Sequence, residues 1–204
     1  DEAFEATYGT LIPVDAGRVR LMEDGDTVTF GNRKLEFMDA PGHASHHFCV
    51  WDERTRGWFA GDNFGLAYRE LKTGKGEFIF PTTTPIDFNP PVLKATVERL
   101  LARKPEWMYL THYGRVGDIE ALAERLLAGI DVIVEIAETH EHREDRSQCI
   151  GRDIEEWLYD AVRSHGVEMS DEALREILQP DIELNTQGAD VWLTRRQKRR
   201  EKAS

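Results

Sequence analysis

Three short motifs carry the residues of this chain whose types and spacing could do chemistry. Each motif follows a strand-like run and ends in a side chain that can bind a metal, and the three are Asp-Ala-Pro-Gly-His (39–43), Phe-Ala-Gly-Asp (59–62) and Tyr-Leu-Thr-His (109–112). Their last residues, His43, Asp62 and His112, are two imidazoles and one carboxylate, which are ligands that Zn, Fe and Mn accept. Because a carboxylate has two oxygens, Asp62 could bridge two ions. The pattern therefore predicts a metal site whose ligands lie at the ends of strands.

In this order the motifs resemble the C-terminal half of the metallo-β-lactamase superfamily. In that family a Pro-Gly-His loop supplies a ligand to the first metal, a Gly-Asp at a strand end supplies the bridging carboxylate, and a late Thr-His supplies a ligand to the second metal. The resemblance covers about residues 18–116 and implies that His43, Asp62 and His112 are metal ligands. It also implies two divalent metal ions as cofactors, with zinc expected and iron or manganese as alternatives.

One motif of that family has no counterpart here. The His-x-His-x-Asp-His loop, which in the family supplies most of the first-metal ligands and an acid/base-type Asp, precedes the other motifs, and residues 1–17 are too few to contain it. We therefore expect this chain to supply only part of a dinuclear site, with a missing N-terminal segment or a second chain as its partner. Half of a sandwich exposes a sheet edge and an apolar face. The chain expressed alone is expected to aggregate, to self-associate or to need a partner fragment.

The resemblance implies a metal-dependent hydrolase for small-molecule substrates. The expected reaction is hydrolysis of an ester, thioester or lactone-type acyl bond by a metal-bound hydroxide, with the metals stabilising the oxyanion. We expect this activity in a full-length protein and not in the isolated chain. Two alternatives stay open: a non-catalytic remnant or interaction module of the same fold, and an iron-dependent redox member. A phosphodiesterase or nuclease of the same fold is disfavoured by the acidity of the chain.

Composition limits the other classes of function. With 204 residues, 40% of them hydrophobic, the chain can bury a sizeable core. Its net charge of −12 argues against nucleic-acid binding, and no run approaches the ~18 apolar residues of a membrane span. Cys49 and Cys149 lack metal-ligand spacing, and this sparse use of cysteine favours a reducing cytoplasm. A homo-oligomer is possible.

The first half of the chain has the pattern of strands and the second half that of helices. The fold class predicted is α/β: a partial αββα sandwich of the metallo-β-lactamase type with a C-terminal helical extension. Its parts are a sandwich portion at 1–116, a helical layer at 117–193 and a basic polar tail at 194–204 that frays. Strands are predicted at 18–23, 27–30, 34–38, 47–51, 57–60 and 106–111. Helices are predicted at 92–103, from 117 to about 137, at 155–164 and at 171–178.

The segment 64–91 is long, rich in Gly, Thr and Pro, and aromatic. Long irregular segments inside a compact domain are often functional, so we hypothesise that it forms one wall of a substrate pocket. An ordinary core-covering loop or an oligomer contact is the alternative.

Four further residues are candidates for substrate contact or for support of the ligands. His46 and His47 point to opposite faces if they lie on a strand, so one of them could orient a ligand or touch substrate. Tyr113 and Arg115 follow the third motif and could bind an anionic or carbonyl group, with packing and surface charge as the alternative roles. By contrast, the His-x-His at 140–142 lies in a charge run at a helix end and is not expected to bind a metal, because helical residues two apart face different directions.

Overall fold

The centre of the fold is a mixed β-sheet, seen in a computed structural model that describes residues 9–10, 12–85 and 87–203. Within those residues the strands are β1 (Thr27–Phe30), β2 (Arg33–Asp39), β3 (Phe48–Asp52), β4 (Gly57–Gly61), β5 (Leu66–Ala67), β6 (Ile79–Phe80), β7 (Trp107–Leu110) and β8 (Gly114–Val116). The main sheet has the order β1-β2-β3-β4-β7-β8, and β5 pairs with β6 separately. All neighbours are antiparallel except β4 and β7, which are parallel. The crossover between these two strands carries the segment that forms part of the candidate site.

Helices cover one face of this sheet. They are α1 (Pro90–Ala102), α2 (Ile119–Thr139), α3 (Arg146–His165) and α4 (Asp171–Ala203). Two prolines begin α1, where the ring fits the first turn and the missing N–H is not needed. The indole N–H of Trp58 on β4 donates to the carbonyl of Leu100 at 3.0 Å, which ties α1 to the sheet.

Side chains alternate along the central strands because successive residues of a strand face opposite sides of the sheet. On β3, Cys49 and Trp51 are buried on the helix side, whereas Phe48 is 58% exposed on the other side. Phe59 on β4 is 44% exposed, and its ring stacks on Tyr109 of β7 at 4.7 Å between centroids. The expectation of an uncovered apolar sheet face is therefore confirmed for the described part of the chain.

The predicted strand at 18–23 is wrong. Residues Ala16–Arg18 form a short 3-10 helix, and positions 19–23 lie outside every strand that the structure describes. The backbone of Phe37 on β2 bonds instead to Gly25 and Asp26, at 2.8 Å in each case. Residues 25 and 26 thus continue the pairing of β1 with β2, and residues 19–23 do not form the strand that was predicted on the other side of the turn. Residues 1–17 are expected to hold no His-x-His-x-Asp-His loop, and positions 1–8 and 11 of this stretch lie outside the described residues.

Two helices are longer than predicted. Helix α3 begins at Arg146 rather than near 155, and α4 continues to Ala203 through the tail that was expected to fray. Long-range ion pairs hold these ends: Arg146 Nε lies 2.5 Å from Asp190 Oδ1, and Arg196 Nη2 lies 2.5 Å from Glu141 Oε2. Among the described helices, none is both long and apolar enough to cross a membrane.

Candidate metal centre

The first candidate ligand, His43, lies in a tight loop after β2. Gly42 has φ +133°, and a Cβ built on it would lie 2.3 Å from Leu93 Cα in the first turns of α1. Only glycine allows this approach of loop and helix. The loop is fixed further by the Asn89 N–H, which donates to the Gly42 carbonyl at 2.9 Å, and by the Thr96 hydroxyl, which donates to the Pro41 carbonyl at 2.6 Å. These contacts hold His43 near the end of β2, where it is 8% exposed.

The second candidate, Asp62, follows an irregularity at the end of β4. The pairing with β7 shifts register between Phe59 and Gly61, and Gly61 has φ +56°. Such a bulge re-aims the next side chain. The Asp62 N–H then donates to Nε2 of His47 at 3.2 Å, and a Cβ at position 61 would lie 2.4 Å from that same nitrogen. The backbone at Asp62 is therefore set by the His47 ring.

His47 accepts a hydrogen bond, so its imidazole must be neutral at Nε2. Burial lowers the pKa of His47, and the neighbouring His43 lowers it further, while Asp62 opposes the shift. The other ring nitrogen, Nδ1, lies 2.8 Å from the side-chain amide of Asn63. Because Nε2 accepts, Nδ1 carries the proton of the neutral ring. The side-chain amide of Asn63, which is fully buried, donates to the Ala40 carbonyl at 2.7 Å. His47, a candidate for support of the ligands, is placed behind Asp62 and ties the ends of β2 and β4 together.

The structure brings the three predicted ligands together. His43 Nε2 lies 3.6 Å from Asp62 Oδ2, and His112 Nε2 lies 3.5 Å from Asp62 Oδ1. Each imidazole therefore faces a different oxygen of one carboxylate. Asp62 Oδ1 is buried and has no hydrogen-bond partner, which is costly for a carboxylate oxygen unless another group compensates it.

The orientation of His43 is set from the far side of its ring. Nδ1 lies 3.0 Å from the carbonyl oxygen of Thr82. A carbonyl can only accept, so this contact places the proton on Nδ1 and leaves the Nε2 lone pair facing Asp62. A backbone carbonyl on the second nitrogen is a common feature of metal-binding histidines. The Thr84 hydroxyl donates to the His43 carbonyl as well.

Helix α4 holds in place the segment of three threonines at 82–84, called the threonine segment below. The Thr83 N–H donates to Asn185 Oδ1 at 2.8 Å, and Asn185 Nδ2 donates to the Pro81 carbonyl at 3.0 Å. One buried amide thus bonds the peptide groups on both sides of Thr82. The carbonyl that orients His43 is fixed by a residue more than a hundred positions further along the chain.

The separations between the candidate ligand atoms are compatible with metal ligation. Two ligand atoms at the usual 2.0–2.2 Å from one tetrahedral ion are about 3.4 Å apart, which agrees with both histidine–carboxylate separations. Within the described residues, however, no group of three or more His, Cys, Asp or Glu side chains is arranged to hold a metal ion. The residues present therefore supply two imidazoles and one carboxylate at separations that suit metal ligation, and the assignment of His43, Asp62 and His112 as metal ligands stays a prediction.

These residues open onto a cavity of about 300 Å³. Its other described lining residues are Leu66, Tyr68, Thr82, Thr83, Thr84, Pro85, Asp181 and Leu184. The segment 64–91 supplies most of this list, as expected of a pocket wall. Burial raises the pKa of Asp181, while the hydrogen bond from Tyr68 and the charge of His112 oppose the rise.

The remaining candidates lie outside that cavity. His46 is exposed. The Tyr113 hydroxyl lies 3.5 Å from Glu77 Oε1, and the Arg115 guanidinium lies 4.0 Å from the centre of the Trp107 ring. Substrate contact by these residues stays a prediction that no contact in the structure supports. In the His-x-His at 140–142, His140 Nε2 pairs with Asp153 Oδ2 at 2.7 Å, which is a structural role.

Several residues that shape the site were not found from the sequence. Asn63 had a signal, because it directly follows the Gly-Asp of the second motif, and Thr82 lies in a run of three threonines. Tyr68 belongs to the aromatic segment 64–91 that was hypothesised to form a pocket wall. Asp181 and Asn185 had no signal, since their roles arise from contacts between distant parts of the chain.

Comparisons with known proteins show the family and the fold of this chain. Residues 2–112 match the family model of the metallo-beta-lactamase superfamily. An archaeal metallo-beta-lactamase superfamily protein from Sulfolobus tokodaii is similar in fold, with 20% identity, a TM-score of 0.55 and coverage of 92% of this chain and 58% of that one. A metallo-beta-lactamase family protein from Thermus thermophilus gives 18% identity, a TM-score of 0.49 and coverage of 86% and 58%. No curated protein matches.

The chain spans 58% of the length of the archaeal protein. At that identity the likeness shows the fold, and the family is shown by the match to residues 2–112, which make up more than half of the 204 residues. The superfamily includes hydrolases, and its members usually bind metals. The ordered motifs, the sheet that positions them and the family match together establish that this chain belongs to the metallo-beta-lactamase superfamily.

Proposed function

We propose that the chain forms the larger part of a metal-dependent hydrolase that acts on an ester, thioester or lactone-type acyl bond. The observation that carries the proposal is that the Nε2 atoms of two imidazoles face different oxygens of Asp62. Of these oxygens, Oδ1 is buried without a hydrogen-bond partner. His43, Asp62 and His112 would hold two divalent ions, with zinc expected and iron or manganese as alternatives. When bound, such ions polarise an acyl carbonyl and lower the pKa of water.

The protein's own residues prepare the site for such ions and for a substrate. The Thr82 carbonyl keeps the proton of His43 on Nδ1, and the neutral ring of His47 holds the backbone of Asp62. Leu66 and Leu184 give the cavity apolar walls that can hold the body of an acyl substrate and exclude water. None of the described lining residues is lysine or arginine, which favours an acyl substrate over a polyanionic phosphodiester.

The remaining metal ligands come, in this proposal, from an N-terminal segment or from a second chain. Support comes from the fraction of the archaeal relative that this chain spans, 58%, and from the uncovered apolar sheet face that bears Phe48 and Phe59. An apolar face of this kind marks a surface that another protein segment covers.

The test is hydrolysis by the full-length natural protein loaded in parallel with Zn²⁺, Mn²⁺ or Fe²⁺. A simple ester, a thioester and a lactone serve as probe substrates. We expect turnover of at least one probe, with a loss of about a hundredfold or more in Asp62→Asn and His112→Gln, because each variant removes a proposed ligand. His142→Gln, which changes an exposed histidine, should keep the activity within about twofold. Equal activity in all variants would refute the assignment.

A non-catalytic interaction module is the second candidate. It is favoured by the uncovered apolar sheet face and by the absence, among the described residues, of three ligands arranged for one ion. The same variants separate the two candidates, because a module would hydrolyse none of the probes and would bind its partner equally well after Asp62→Asn.

A further inference from the structure

A second polar pair lines the candidate cavity, and half of it lies outside the part of the chain that matches the family. The Tyr68 hydroxyl donates to Asp181 Oδ2 at 2.7 Å. Both residues line the cavity with His43, Asp62 and His112, and Asp181 is 6% exposed. Tyr68 follows β5, whereas Asp181 lies on α4, beyond residues 2–112. The C-terminal helix therefore contributes a carboxyl group to the site.

The position of Asp181 is fixed by the same helix face that clamps the threonine segment. Residues three and four apart on a helix share a face, so Asp181, Leu184, Asn185 and Gly188 lie in one row. One turn beyond Asp181, Asn185 bonds both sides of Thr82. At Gly188 a Cβ would lie 2.0 Å from Thr83 Oγ1, so α4 approaches that segment as closely as a backbone can. The carboxyl group is thus presented on a rigid element.

The environment leaves Asp181 with unused capacity to accept hydrogen bonds. A carboxylate offers about four acceptor positions on its two oxygens, and the bond from Tyr68 fills one of them. Around it the cavity is walled by Leu66, Leu184 and the threonine segment, with no lysine or arginine among its described lining residues. A buried carboxylate is costly unless a donor or a cation compensates it. A ligand that brings such a group would therefore gain from meeting Asp181.

We propose that Asp181, supported by Tyr68, selects acyl substrates that carry a hydrogen-bond donor, best a protonated amine, on their acyl chain. The inference rests on the proposed hydrolase function for its substrate class. Repulsion by Asp181 and the lack of a lysine or arginine among the described lining residues disfavour acyl chains that end in a carboxylate or a phosphate. Tyr68 is a positioning residue, because its hydroxyl holds one oxygen of Asp181 and leaves the other for the ligand.

Binding is tested first, on chelator-treated protein, so that no hydrolysis is needed. The probes are n-butylammonium, n-butanol and butanoate, and the readout is the methyl ¹³C–¹H shifts of Leu66 and Leu184. We expect n-butylammonium to bind most tightly of the three probes. Asp181→Asn should weaken the affinity for n-butylammonium about tenfold or more, which is the loss typical of a charge-assisted hydrogen bond. The affinity for n-butanol should change by less than about twofold. Tyr68→Phe should weaken the affinity for n-butylammonium by a smaller factor. Glu176→Gln, the same change of charge at an exposed site of α4, is the control and should change nothing.

Hydrolysis is tested second, on the metal-loaded full-length protein with para-nitrophenyl esters of aminocaproate, caproate and adipate. The ratio of kcat/KM for the aminocaproate ester over the caproate ester should fall about tenfold in Asp181→Asn, while Glu176→Gln, at an exposed site of α4, should leave that ratio unchanged. If no ester is hydrolysed but the variant still loses its ammonium preference, the hydrolase proposal fails and the role of Asp181 stands. If neither the binding preference nor the kcat/KM ratio changes in Asp181→Asn, the role of Asp181 is refuted.

Discussion

Replacement of Asn185 by alanine tests the link between α4 and the candidate metal centre. Asn185 is 1% exposed. Its amide accepts from the Thr83 N–H at 2.8 Å and donates to the Pro81 carbonyl at 3.0 Å. Alanine removes both bonds and leaves a buried N–H and a buried C=O without their partner. The carbonyl of Thr82, which belongs to the same peptide group as the Thr83 N–H and orients His43, loses its support.

The expected cost follows from these two orphaned groups. Each buried polar group left without a partner costs about 1–3 kcal/mol, so the free energy of unfolding should fall by about 2–6 kcal/mol. That is a large fraction of the ~5–15 kcal/mol that stabilises a typical domain. Because the lost bonds belong to the folded state, the urea midpoint should fall while the dependence of stability on urea stays the same.

Urea unfolding measures the loss of stability, and ¹⁵N NMR of the imidazole rings measures the effect on the tautomer of His43. Gln187→Ala, an exposed position on the same helix, is the matched control and should change stability by less than about 0.5 kcal/mol. In Asn185→Ala we also expect the His43 ring to lose its single Nδ1–H tautomer. A stability change as small as that of the control, together with an unaltered His43 tautomer, would refute the clamp.

Three further predictions concern the loop, a buried histidine and a buried thiol. Gly42→Ala should lower the free energy of unfolding by more than about 2 kcal/mol in urea, because its Cβ would meet the Leu93 backbone at 2.3 Å; a neutral effect would contradict the tight loop. Burial lowers the pKa of His165 below 6.5, so the unfolded state binds its proton first, and stability should fall as the pH drops below about 6.5. His165→Gln should flatten this decline of stability between about pH 7 and pH 5. An unchanged dependence of stability on pH would show that His165 does not cause the decline. Burial raises the pKa of Cys49 to about 12, so Ellman's reagent should modify it only after urea unfolding, and rapid reaction in the folded protein would show that its burial is wrong.

The parts of the site that a local pattern encodes could be predicted from the sequence. Each ligand-bearing motif is a strand followed by a glycine-containing turn or a strand end, and the polar residue that ends it is aimed by that local geometry. His43, Asp62 and His112 therefore converge in the structure as their order along the chain indicated. The uncovered sheet face was predictable for a related reason, since Phe48 and Phe59 alternate with buried neighbours.

The parts that depend on contacts between distant segments could not be predicted. Tyr68 and Asp181 are separated by 113 positions, and no periodicity on α4 distinguishes a carboxylate that lines a cavity from one that faces solvent. The dependence on distant contacts also explains why the helix at the C-terminal tail was not predicted. Its basic residues look like a frayed end in isolation, whereas the pairing of Arg196 with Glu138 and Glu141 on and just after α2 keeps the helix intact.

The assignment of the metal ligands is tested most directly by zinc titration of the full-length protein, followed through the ¹⁵N resonances of its histidine rings. We predict that the Nε2 signals of His43 and His112 move on addition of zinc, that Asp62→Asn weakens the response of both about tenfold or more, and that the ring of exposed His142 does not respond. If saturating zinc leaves the rings of His43 and His112 unchanged, or if Asp62→Asn binds zinc as tightly as the natural protein, these residues do not form the metal centre.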